Sequence, residues 1–135
     1  MFKAFREKRR ILKVERQMQR LERLSASMLG RMESQTTAVI YDLPDRYSTR
    51  RFSRDIARIA EVRRSITSIL GELELSGRHK TCRQAKAAGA LLLERDSKFS
   101  RNLRAEQSMQ SRIIAERCNH TWRNLGRSLS ATLVR

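Results

Sequence analysis

Two short patterns in this 135-residue chain have the atom types of a metal site: His79-x-x-Cys82 and Cys118-x-His120, whose imidazoles and thiolates could close a tetrahedral zinc centre. The distance between them decides against it. If one helix joins them, 36 positions at 1.5 Å each hold the pairs about 54 Å apart. Neither a metal site nor a disulfide is expected, and free thiols suit a reducing compartment. No Ser/His/Asp set, glycine-rich phosphate loop or pair of carboxylates stands near either histidine. An enzyme is therefore not expected, and neither is a cofactor.

What does recur is positive charge. Lys and Arg total 30 against 14 Asp and Glu, a formal net charge of +16. Residues 1–31 carry ten basic and three acidic side chains. Among them Arg6, Arg9, Lys13, Arg16, Arg20 and Arg23 occupy the c and f positions of a heptad, opposite its apolar seam, and make one continuous basic stripe. Ordinary coiled coils alternate signs on that outer face, so the bias points to an anionic partner. A second cluster comprises Arg50, Arg51, Arg54, Arg58, Arg63 and Arg64. From Arg78 onward come thirteen basic and four acidic residues. Two partners fit such a field: the acidic surface of a protein in a larger assembly, or the phosphate backbone of a nucleic acid. Modules that read bases add exposed aromatics, whereas Phe52 and Phe99 lie on seams, so any nucleic acid would be held by its backbone.

The elements that must carry these charges are helices. Aromatics are 5% of the chain, a third of it is charged, and there is one proline, a mix suited to long helices with a narrow buried seam. Ile11, Val14, Met18, Leu21, Ser25, Met28 and Met32 follow an unbroken 3-4 spacing and predict a helix over residues 3–34. Residues 35–50 lose the heptad and contain Pro44, predicting a linker with a short extended piece at Thr37 to Tyr41. The seam resumes as Phe52, Asp55, Ile59, Val62, Ile66, Ile69 and Leu73, widened by Ile56 and Leu70, and predicts a helix over 51–75 closed by Gly77. Residues 80–126 read as one long helix with a weaker seam of Ala85, Ala88, Leu92, Phe99, Leu103, Met109, Ile113, Cys118 and Leu125. The tail, 127–135, is expected to fray, although Leu125, Leu129 and Leu133 form an apolar face that needs cover.

The run Arg10-Ile11-Leu12-Lys13-Val14-Glu15-Arg16 opens a basic heptad helix and resembles the start of the stalk proteins of type III secretion ATPases, the YscO group related to flagellar FliJ. Cys82-Arg83-Gln84-Ala85, followed by Glu94-Arg95-Asp96-Ser97-Lys98-Phe99, is similar to the returning helix of that group. The resemblance implies an antiparallel coiled-coil hairpin that inserts one end into a ring ATPase, couples it to the export gate and handles export chaperones. It places Lys13 and Arg16 in the basic first helix.

The chain is thus expected to be all-α: two to three long helices forming an elongated antiparallel coiled-coil hairpin with a third C-terminal helical segment, in one domain over residues 1–135. The function expected is that of a non-enzymatic interaction protein, most concretely a stalk or adaptor of a type III export ATPase, and not one that acts alone. The alternative is an Arg-rich RNA-associated structural protein, such as a small ribosomal or virion component. No stretch approaches 18 consecutive apolar residues and no apolar h-region opens the chain, so a cytoplasmic location is expected, with the mitochondrial matrix as the alternative.

Overall fold

The computed structural model describes residues 2–44 and 46–134, with side chains described as far as Ser130. Three helices account for nearly all of it: α1 (Phe2–Ile40), α2 (Thr49–Glu74) and α3 (His79–Val134). Ion pairs between Arg10 and Glu72 and between Arg31 and Asp55 fix α2 antiparallel to α1. Contacts from Glu7 to Thr81 and from Thr36 to Glu106 show that α3 runs parallel to α1. All three pairs of helices pack against one another. The third helix is not an appendage to a hairpin; it lies along both α1 and α2.

The seams run longer than apolar residues alone suggest. On α1 the inward positions continue from Glu7 through Ile11, Val14, Met18, Leu21, Ser25, Met28 and Met32 to Gln35. On α2 they run from Phe52 to Leu73, with Leu70 buried and Ile56 exposed. On α3 the line is Cys82, Ala85, Gly89, Leu92, Asp96, Phe99, Leu103, Glu106, Gln110, Ile113 and Arg117, every one buried or half-buried at alternating steps of three and four. Val14, Met18, Leu21, Met28, Ile59, Val62, Ile66, Leu70, Leu73, Ala85 and Leu92 form the contiguous apolar core. Alanine and glycine at positions 85 and 89 let α3 approach α2 closely: a Cβ built on Gly89 would already touch Leu70 at 3.9 Å.

The α3 seam corrects the sequence reading. Met109, Cys118 and Leu125 are exposed, and their places inside are taken by Glu106, Gln110 and Arg117. These polar groups are held by hydrogen bonds to α1. Thr36 Oγ1 donates to Glu106 Oε2 at 2.6 Å, Gln110 Nε2 donates to Met32 O at 3.2 Å, and Arg117 donates to Ile40 O.

Helix ends differ too. Helix α1 passes position 34 and absorbs Thr37 to Ile40, which are helical and not extended. Thr37 donates back to Glu33 O and satisfies its hydroxyl within the helix, while the single hydroxyl proton of Thr36 goes to Glu106. The stop comes at Asp42, in the left-handed region at φ 53, where Leu43 N donates to Ala38 O and Asp42 N to Val39 O in a Schellman arrangement. Ser48 caps α2 by accepting from Arg51 N at 3.2 Å. Gly77, at φ 76, makes the tight passage to α3. The tail as far as Val134 continues α3; Arg135 and the Leu133 side chain lie outside the described residues.

Candidate functional site

The a/d seam buries one side of α1, which turns its c and f positions outward by construction. Arg6, Arg9, Lys13, Arg16, Arg20 and Arg23 are all exposed, and among the described residues none of them forms an ion pair. Arg9 lies over the Phe5 ring at 5.8 Å, a cation–π contact that leaves its charge in solvent. Of the three acidic residues near this ridge, Glu7 is buried against Thr81 and Arg78 and Glu22 pairs with Arg95, while Glu15 is exposed beside Arg16.

The second basic cluster is not one surface. Arg50, Arg51, Arg54, Arg58, Arg63 and Arg64 are exposed. Because α2 runs antiparallel, Arg63 and Arg64 lie level with Arg20 and Arg23, whereas Arg50 to Arg58 stand at the opposite end near Arg31. Arg63 is tied to Asp96 at 3.5 Å, and Arg64 Nε donates to Ala60 O at 3.4 Å. The α1 ridge is the longer and freer of the two.

A polar network that spacing alone only hinted at sits beneath the α1–α2 connection. Asp55 accepts from Tyr47 Oη at 2.7 Å and from Arg31 Nη1 at 2.6 Å, while the Tyr47 ring meets Phe52 edge-on at a centroid distance of 6.0 Å. Burial alone would push the Asp55 carboxyl up, but the hydrogen bonds from Tyr47 and Arg31 and the charges of Arg31 and Arg51 outweigh it and hold the group below its ordinary value. For Tyr47, burial and then its hydrogen bond to Asp55 raise the phenol above its usual range, so the hydroxyl remains a donor. A cleft of about 540 Å³ opens beside this network, lined by Arg31, Ser34, Leu43, Arg46, Tyr47 and Arg51 among others. The sequence signal for the network was an Asp on an otherwise apolar seam; Tyr47, in the connection, carried none.

His79 and Cys82 begin α3, and Cys118 and His120 lie near its far end, so the helix separates the two candidate ligand pairs. Among the described residues no group of three or more His, Cys, Asp or Glu side chains could hold a metal ion. No described helix is long and apolar enough to cross a membrane. No family model, no curated protein and no solved structure matches this chain.

Proposed function

We propose that this chain is a non-enzymatic helical interaction protein that presents the α1 ridge to an acidic protein surface, most concretely as a stalk or adaptor of a type III (flagellar-type) export ATPase. The observation that carries the reading is the ridge itself: six exposed cations that form no ion pair among the described residues, in line on a helix whose other side is locked into a three-helix core. Such a row keeps its charges available, and guanidinium groups favour bidentate carboxylate contacts. The segment similar to the family's returning helix lies in α3, which runs parallel to α1, whereas the antiparallel partner of α1 is α2.

Replacing Lys13, Arg16, Arg20 and Arg23 by Gln removes the central ridge while leaving helix propensity and the seam intact. With an acidic protein partner, the variant keeps its fold and loses co-elution with the ring ATPase, or its stimulation, and wild-type RNA binding is weak at physiological salt. Tight RNA binding by the wild type would replace this reading with the nucleic-acid one. In that case the variant weakens binding equally for unrelated sequences, and its slope of log K against log salt shrinks by about 0.7 to 0.9 per lost phosphate contact.

A further inference from the structure

Helix α3 outruns its neighbours. Arg117 contacts the last residue of α1, so the remaining residues to Val134 extend past the bundle by about 25 Å at 1.5 Å per residue. At the same point the apolar stripe changes face. Inside the bundle the buried lines are Phe99, Glu106, Ile113 and Leu103, Gln110, Arg117; past it the large apolar residues are Trp122, Leu125 and Leu129, with Cys118 beginning their row. Helical geometry rotates this strip about 135° from the side that faces α1. Exposure of 71% for Trp122, 48% for Leu125 and 57% for Leu129 leaves the strip uncovered.

We propose that this extension is a docking helix for a bilayer surface rich in anionic phospholipid, with Trp122, Leu125 and Leu129 entering the boundary between headgroups and acyl chains. Charge selects the occupant. From Arg117 to Arg135 the sequence contains no Asp or Glu, and the chain as a whole carries +16, so an anionic surface attracts it and a second copy is repelled. A helical protein partner would place charges beside the strip for interhelical pairing. Here the bordering residues are Thr121, Ser128, Asn119 and Gly126, and Arg123 and Arg127 stand on the opposite half. Apolar and tryptophan side chains on one face with arginines on the other is the pattern of a helix lying in a membrane interface. The strip also continues into a flat line. Heptad steps back from Trp122 and Leu125 lead through Ala115, Ser108, Ser111 and Cys118 to Arg101 and Arg104, all exposed, before the first acid on that line at Glu94. A planar surface could therefore meet the two arginines and the apolar strip together.

Trp122 is the chain's single tryptophan and reports its own environment. With vesicles of equal phosphatidylglycerol and phosphatidylcholine, the full chain is expected to co-sediment and its emission to shift to the blue, with at least tenfold weaker partition onto pure phosphatidylcholine. Leu125→Glu with Leu129→Glu is expected to reduce partition about a hundredfold, the scale of losing two inserted leucines. Both residues are exposed, so far-UV circular dichroism should be unchanged. The ridge variant at Lys13, Arg16, Arg20 and Arg23 should keep the blue shift, so this inference and the proposed function can fail separately. Emission that stays unshifted on anionic vesicles overturns the proposal, as does equal binding to zwitterionic vesicles. A blue shift that depends on protein concentration without lipid would assign the strip to a second copy and overturn it equally.

Discussion

The two halves of the bundle share one heptad geometry but are held by different forces. Behind the Glu7, Thr81 and Arg78 contacts at the α2–α3 turn, Val14, Met18 and Leu21 meet Ile66, Leu70 and Leu73 across Ala85 and Leu92, an apolar seam. Toward the α1–α2 connection the same inward positions are filled by Asp55, Thr36, Glu106 and Gln110, joined by hydrogen bonds. A seam of methionine and aliphatic side chains gains its free energy from burial and tolerates a slip of seven residues. The polar half does not: in any other register Asp55 loses Arg31, and Thr36 loses Glu106 and Gln110. We read the apolar half as the source of stability and the polar half as what fixes alignment.

The sharpest way to break this contrast is to put a charge into the apolar half. Ile66 has no exposed surface, so Ile66→Asp is expected to cost about 3–5 kcal/mol, enough to abolish cooperative melting followed by circular dichroism. Wild-type-like melting would mean the seam does not carry the fold.

A gentler change probes the polar half. Asp55→Asn removes the charge that Arg31 and Tyr47 serve and is expected to cost about 2 kcal/mol at pH 7, read from the urea midpoint. The sign with pH follows from the lowered pKa. Ionised Asp55 stabilises the fold above its unfolded value near pH 4, and that contribution is lost as pH falls through the folded value. The gap between wild type and variant should therefore close in acid. A gap that widened below pH 4 would contradict the network.

Asp96 supplies the smallest effect and the opposite sign. Burial raises its pKa, and Arg63 at 3.5 Å offsets only part of that. The folded chain pays for the ionised form, so Asp96→Asn should be neutral or stabilising by about 0.5 kcal/mol at pH 7. The stability difference should vanish as pH falls through the raised folded value, where wild-type Asp96 takes up its proton. Destabilisation at pH 7 comparable to that of Asp55→Asn would erase the distinction between the two carboxylates.

The all-α class was legible because Val14, Met18 and Leu21, like Ile59, Val62 and Ile66, show their period in apolar residues alone. The far half of α3 was not. A reading that follows apolar residues steps from Leu103 to Met109, Cys118 and Leu125, whereas the buried line runs through Glu106, Gln110 and Arg117, whose place inside depends on partners 70 to 78 residues away in sequence. The end of α1 was hidden for a related reason: Asp42, not glycine, takes the left-handed residue. The basic ridge was visible in the sequence because c and f positions follow directly from the seam. That none of its charges forms an ion pair among the described residues required coordinates.

An odd number of helices sends the two ends of the polypeptide to opposite poles. In a two-helix hairpin both termini sit at one pole, and a pull on them peels the helices apart one layer at a time. Here α1 begins at the pole where α3 begins, and α3 ends beyond the other, about 84 Å along its 56 residues. Tension applied between the termini would draw α1 and α3 past each other lengthwise. The apolar layers and the Thr36, Gln110 and Arg117 contacts would then resist in parallel, as in a strut loaded in shear.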